Sequence, residues 1–142
     1  MTNWSQLAAT SHYQTAVAVD QALRRGALAD AQEGIQELID ALARSERRAL
    51  RSQLIRLMAY IIKWRSQPDQ RSRGWRATIR NARAEIADIQ EDTPSLNRAV
   101  IESLWDKCFP LAKEQAEGEM NQTSSVTKLT WEDVFDAEYE VA

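Results

Sequence analysis

Four glycines, three prolines, one cysteine and one histidine are all that 142 residues hold of those types. So few glycines and prolines leave too little turn chemistry for a sheet protein of this length and favour helices. The single cysteine, Cys108, cannot close an internal disulfide, and with one distant histidine, His12, it makes no metal set. The longest uncharged apolar run, Leu57 to Ile62, falls well short of the roughly 18 residues that span a bilayer. No charged-then-apolar leader is read at the N-terminus. The expectation is therefore a chain without cofactor or metal and without a membrane partner, in a reducing cytoplasm.

What is present is apolar residues at helical spacing. The length suits one helical domain with a real core. Residues 1–12 are polar apart from Trp4 and Leu7, and read either as a docked anchor or as a frayed end. A first helix is expected from Tyr13 to Arg25, with Tyr13, Ala16, Val17 and Leu23 near one face and a turn at Gly26. The second is the longest. Leu28, Ala31, Ile35, Leu38, Leu42, Ala49, Leu50, Leu54, Leu57, Met58, Ile61 and Trp64 recur at steps of mostly three and four. With no proline or glycine between Ile35 and Gln67, it is expected to continue through the polar patch Ser45-Glu46-Arg47-Arg48.

Pro68 should end that helix by pushing Gln67 out of the α region. Ser72 then caps a third helix, Arg73 to Gln90, with a seam of Trp75, Ile79, Ala82, Ile86 and Ile89. A fourth begins near Ser95, its stripe Leu96, Val100, Leu104, Cys108, Leu111 and Gln115 widened by Ile101, Trp105 and Ala112. Pro110 should kink or split it. Residues 118–125 read as a loop. The tail carries a short helix capped by Thr130, with Trp131, Val134 and Phe135 folding back. The fold class expected is all-α: a four-helix-type bundle with one long central helix and a short C-terminal one. Trp64, Pro68, Trp75, Ile79 and Trp105 are its structural residues.

Charge is distributed unevenly. Arg44 to Arg83 carries a balance of +10, and Ala84 to the C-terminus −10, within a net charge of −3. The two segments are expected to face each other, with Arg80 against Glu102 or Asp106 as candidate pairs.

The segment Arg44-Ser45-Glu46-Arg47-Arg48, then Leu57-Met58, Lys63-Trp64, Gln67-Pro68, Arg71-Ser72, Trp75, Thr78-Ile79, Arg83, Ile86 and Pro94-Ser95-Leu96, resembles a bacterial family. This is the domain of unknown function family numbered 29, common in cyanobacteria and proteobacteria. The likeness covers roughly residues 35 to 105 and implies an all-helical fold but no activity. Tyr60 stands where that family often has histidine, Gly74 where it often has serine, and Gln70 where it often has arginine. Nothing that rests on the histidine is therefore carried over.

Three functional readings follow. An enzyme needs a nucleophile with its base, a metal set, or paired carboxylates in a cleft. Cys108 sits on an apolar stripe, and Glu37 and Asp40 read as a solvated face, so this reading stands last. Single-stranded nucleic acid, RNA in particular, could be bound by the basic segment Lys63 to Arg83, through Arg71, Arg73, Arg76, Arg80 and Arg83 interleaved with tryptophan, although a sequence pI near 5.3 lacks a domain-wide basic signature. The leading expectation is a non-catalytic helical protein acting through protein contacts. The apolar stripe over Leu28 to Leu42 exceeds what the other helices cover and suits a second copy of the chain or an unidentified protein partner.

Overall fold

In the computed structural model, which describes residues 2–141, helix accounts for 79 % of the described residues. No strand occurs among the described residues, so the all-α expectation holds. The helices are α1 (Trp4–Thr10), α2 (His12–Arg24), α3 (Leu28–Ser66), α4 (Arg73–Asp92) and α5 (Arg98–Met120). A single π-helical turn, Glu132–Asp136, lies in the tail. Contacts divide the chain into Met1–Arg48 and Ala49–Ala142, and α3 begins in the first unit and ends in the second. It passes the polar patch at Ser45 without a break, because those residues propagate a helix and their heads reach water.

The first unit is pinned by Trp4. Asn3 caps α1 through its side chain, and the indole is 2 % exposed. Its Nε1 donates to Asp30 Oδ1 at 2.7 Å, and Asp30 also holds Arg25. The ring lies on Gly34, where a Cβ would meet three ring carbons at 2.7–2.8 Å. Only glycine admits so close an approach. Gly26 takes φ +78, with Gly26 N–H bonded to Leu23 O and Ala27 N–H to Ala22 O. This is the Schellman end that a glycine after Arg24-Arg25 leads one to expect.

The face of α2 differs from the expected one. Thr15, Val19 and Ala22 are buried, while Tyr13, Val17 and Leu23 are exposed. Small side chains let α2 pack closely beneath Trp4. Thr15 can be buried because its hydroxyl donates to Ser11 O at 2.7 Å.

The second unit has one core. Leu50, Leu54, Leu57, Met58, Ile61, Ile62 and Trp64 of α3 join Ile79, Ala82 and Ile86 of α4, with Leu129 and Val134 of the tail. Each large side chain fully buried contributes about 1.5–3 kcal/mol. On α5 the buried residues are Ile101, Cys108, Ala112 and Ala116; the first three lie on the expected stripe, whereas Leu111 is exposed and Ala116 is buried in its stead. A ridge of small residues at i, i+4 and i+8 lies among the large side chains of α3.

The boundaries follow capping chemistry. Gln67, at φ −129 and ψ 72, leaves the α region before Pro68, and Ser72 Oγ accepts from Trp75 N–H. Helix α5 starts at Arg98 rather than Ser95, because Asn97 Oδ1 accepts from Val100 N–H. It runs unsplit through Pro110; both Pro110 and Asp106, whose carbonyl loses its partner, are exposed. It also runs past Gly118, expected to open a loop, to Asn121, whose left-handed conformation ends it.

In the tail, Thr130 and Asp133 exchange bonds. Thr130 Oγ1 accepts from Asp133 N–H and Asp133 Oδ2 accepts from Thr130 N–H, a capping box built with aspartate. No helix among the described residues is long and apolar enough to cross a membrane.

Candidate functional site

The basic corner lies in the second unit, where α3 turns through Pro68 into α4. Trp64 is buried at the end of α3, with Tyr139 edge-on at 5.7 Å and the Arg71 guanidinium 5.2 Å from its ring centre. Arg71 Nε also donates to Trp64 O at 2.8 Å, satisfying one of the carbonyls a helix end leaves unpaired. Arg76 pairs with Glu140 at 3.0 Å. Arg83 Nε donates to Val134 O at 2.8 Å and its Nη2 to Asp133 O, and it lies 5.6 Å from the Tyr139 ring centre. Burial lowers the Arg83 pKa, against the opposing pull of Tyr139 and Asp136. Tyr139 donates its hydroxyl to Asp133 O at 2.6 Å, and burial pushes its pKa up.

Of the five candidate arginines, Arg71, Arg76 and Arg83 thus have internal partners. The side chains of Arg73 and Arg80 form no hydrogen bond or ion pair among the described residues, so the expected pairing of Arg80 with Glu102 or Asp106 is not formed. Arg80 instead lines a cleft of about 230 Å³ with Arg76, Ile79 and the tail residues Glu138 to Glu140. The two charged segments do meet, through Arg76–Glu140, Arg65–Asp133 at 2.5 Å and Lys63–Glu119 at 2.8 Å. Burial would raise the Asp133 pKa, but bonds from Thr130 and Arg65 outweigh it and hold the carboxyl below the usual range.

Lys63, which opens the basic segment read from the sequence, is withdrawn from its surface. It is 7 % exposed, and its Nζ stands 4.3 Å from the Tyr60 ring centre and 5.0 Å from that of Trp75. A buried ammonium costs several kcal/mol unless paired. Here Glu119 supplies the charge and two ring faces the remaining solvation, each ring contributing about 0.5–2 kcal/mol. The Lys63 hydrogen bond is the main cause that lowers the Glu119 pKa, and Gln115 Nε2 holds the other carboxylate oxygen at 3.0 Å. Trp75, expected to be buried, is half-buried and serves as one wall of this cage. No local pattern foretells a pair 56 residues apart; the one signal is a lysine inside an otherwise apolar run.

Other candidate residues take packing roles. Trp105 Nε1 donates to Leu129 O at 3.0 Å, and its ring stacks on Trp131 at 5.9 Å. Ile79 is buried, and Pro68 opens the exposed 3₁₀ turn of the corner. Cys108 is buried, and burial pushes its thiol pKa up against the pull of Arg51 and Lys107, which suppresses the nucleophilic thiolate. No group of three or more His, Cys, Asp or Glu among the described residues could hold a metal ion.

In the first unit, Leu28, Ile35, Ile39 and Leu42 of α3 are 62, 40, 53 and 42 % exposed. At 100° per residue they fall within one narrow stripe, beside the face that Trp4 and α2 cover.

A family model described as "Domain of unknown function DUF29" matches residues 12–140. The chain belongs to this family. In this DUF29 member the match takes in α2, all of α3, the basic corner and the tail through Glu140. It extends well beyond residues 35 to 105, where the sequence resemblance was read. No curated protein and no solved structure matches the chain.

Proposed function

We propose that this DUF29 protein is a non-catalytic helical protein that self-associates through the exposed stripe of α3 in its first unit. One observation carries the reading: four large aliphatic side chains stand 40–62 % exposed on one helical face. Leu28, Ile35 and Leu42 recur at intervals of seven, with Ile39 between the last two. A seam of that period is complementary to itself, as a two-fold interface requires.

The state of the polar groups supports contact over catalysis. The thiol is buried, and Lys63 is committed to Glu119. The rival reading, single-stranded RNA bound by the basic Lys63–Arg83 segment, has to displace the internal partners of Arg71, Arg76 and Arg83.

Light scattering at micromolar concentration should find a dimer that persists at moderate salt, since apolar burial is not screened. Ile35→Glu/Ile39→Glu should shift it to monomer with unchanged helicity. A strictly monomeric wild type that binds a single-stranded oligonucleotide tightly, with affinity falling steeply as salt rises, would replace this reading with its rival.

A further inference from the structure

The first unit also holds a cleft of about 350 Å³, its walls including Thr10, His12, Arg44, Ser45 and Arg48 and its floor the Ala41 methyl. Arg44 and Arg48 are one helical turn apart, so both guanidinium groups rise on the same side of α3. No carboxylate lines the cleft. Glu46, the one acid between them, sits at i±2 from each and points elsewhere. Asp40, one turn before Arg44, accepts from Gln36 instead. Among the described residues the side chains of Arg44, Arg48 and His12 form no hydrogen bond or ion pair, and Thr10 spends its proton on Gln6 O. Two like charges held one turn apart beside a partly enclosed space repel, and an anion between them relieves that repulsion.

We infer that this cleft is a binding site for the phosphate group of a small phosphomonoester. Two guanidinium forks, with the Ser45 hydroxyl and the His12 ring beside them, offer donors from several directions. A tetrahedral dianion can use them together, whereas a carboxylate is satisfied by one fork. The volume falls in the range of small-ligand pockets and exceeds what a phosphate ion fills, leaving room for an organic group against the alanine floor. Arg44 and Arg48 lie on the side of α3 opposite the Ile35–Ile39 stripe, so the site stands independently of self-association.

The experiment is calorimetric titration of the full chain at ionic strength fixed with potassium chloride, using inorganic phosphate, ribose 5-phosphate and ribose. Saturable one-to-one binding of ribose 5-phosphate is expected, at least tenfold tighter than phosphate, with none for ribose. Arg44→Gln and Arg48→Gln should each weaken it tenfold or more, while far-UV circular dichroism and the light-scattering mass stay as in wild type. Should either variant misfold, the wild-type His12 imidazole and Arg44 Nε NMR signals should shift on adding ribose 5-phosphate. Equal affinity for phosphate and ribose 5-phosphate overturns the ester assignment. The anion site itself is overturned by heats no larger than the chloride control, by variants that bind as wild type, or by a single-stranded oligonucleotide that occupies the cleft while ribose 5-phosphate fails to compete.

Discussion

Gly34→Ala should destabilise the first unit, although glycine to alanine inside a helix ordinarily stabilises by about 0.8–1 kcal/mol. The added Cβ would meet Cζ3, Cε3 and Cη2 of Trp4 at 2.7–2.8 Å, against an ordinary carbon–carbon contact of about 3.5–4 Å. The indole would have to withdraw by roughly 1 Å. It cannot tilt freely, because its Nε1 is tied to Asp30 and its whole surface is packed. Overpacking costs about 1–3 kcal/mol and a lost hydrogen bond about 1 kcal/mol. Subtracting the propensity gain leaves a net loss of about 2 kcal/mol. In a Trp4→Ala background the obstruction is gone, and the same change should stabilise by about 1 kcal/mol. Native-state hydrogen exchange over residues 4–24, read beside thermal melts, localises the effect to this unit. A Gly34→Ala protein more protected than wild type, or the same sign in both backgrounds, would refute the packing argument.

Two further outcomes concern the second unit. A double-mutant cycle of Arg65→Ala with Asp133→Ala should show coupling of about 0.5 kcal/mol, since both side chains are partly solvated, whereas Arg80→Ala with Glu102→Ala should be additive. Glu119 and Asp133 both have folded pKa values below the usual carboxylate range. The stability they contribute is therefore complete above the unfolded-state pKa and is lost as pH falls through the folded values; acid titration of Glu119→Gln should show a shallower loss of stability than wild type, and equal slopes would refute the assignment.

How far the fold could be read from the sequence depends on whether a residue's role is local. The ends of α3, the Ser72 cap and the Thr130 box were legible because each is set by residues within four positions. The buried face of α2 was not, nor was that of the last turns of α5. Hydrophobicity favours Leu23 and Leu111 over Ala22 and Ala116, but close packing selected the small residues. Nothing within a few positions of Gly34 marks it out, and only the indole 30 positions away gives it a purpose. At the candidate site, the arginines of α4 were legible as a charged face, yet the acids and carbonyls that engage them come from the far end of the chain.

The choice of arginine over lysine along that face has a physical cause. Arg71 bonds the carbonyl of Trp64, and Arg83 bonds those of Val134 and Asp133. Arg71 reaches the end of α3, and Arg83 a π turn too short to satisfy its own carbonyls. A planar fork with five donors can hold a carbonyl and still lie over an aromatic ring, as Arg71 does at Trp64 and Arg83 near Tyr139. An ammonium can stand over a ring and accept one strong partner, which is the arrangement at Lys63. The aromatic and basic residues that suggest a nucleic-acid groove in the sequence are thus also the set needed to close a helix end and fasten a tail. Arg73 and Arg80 fall outside that set, and on this side of α4 it is they that leave positive charge available to an outside partner.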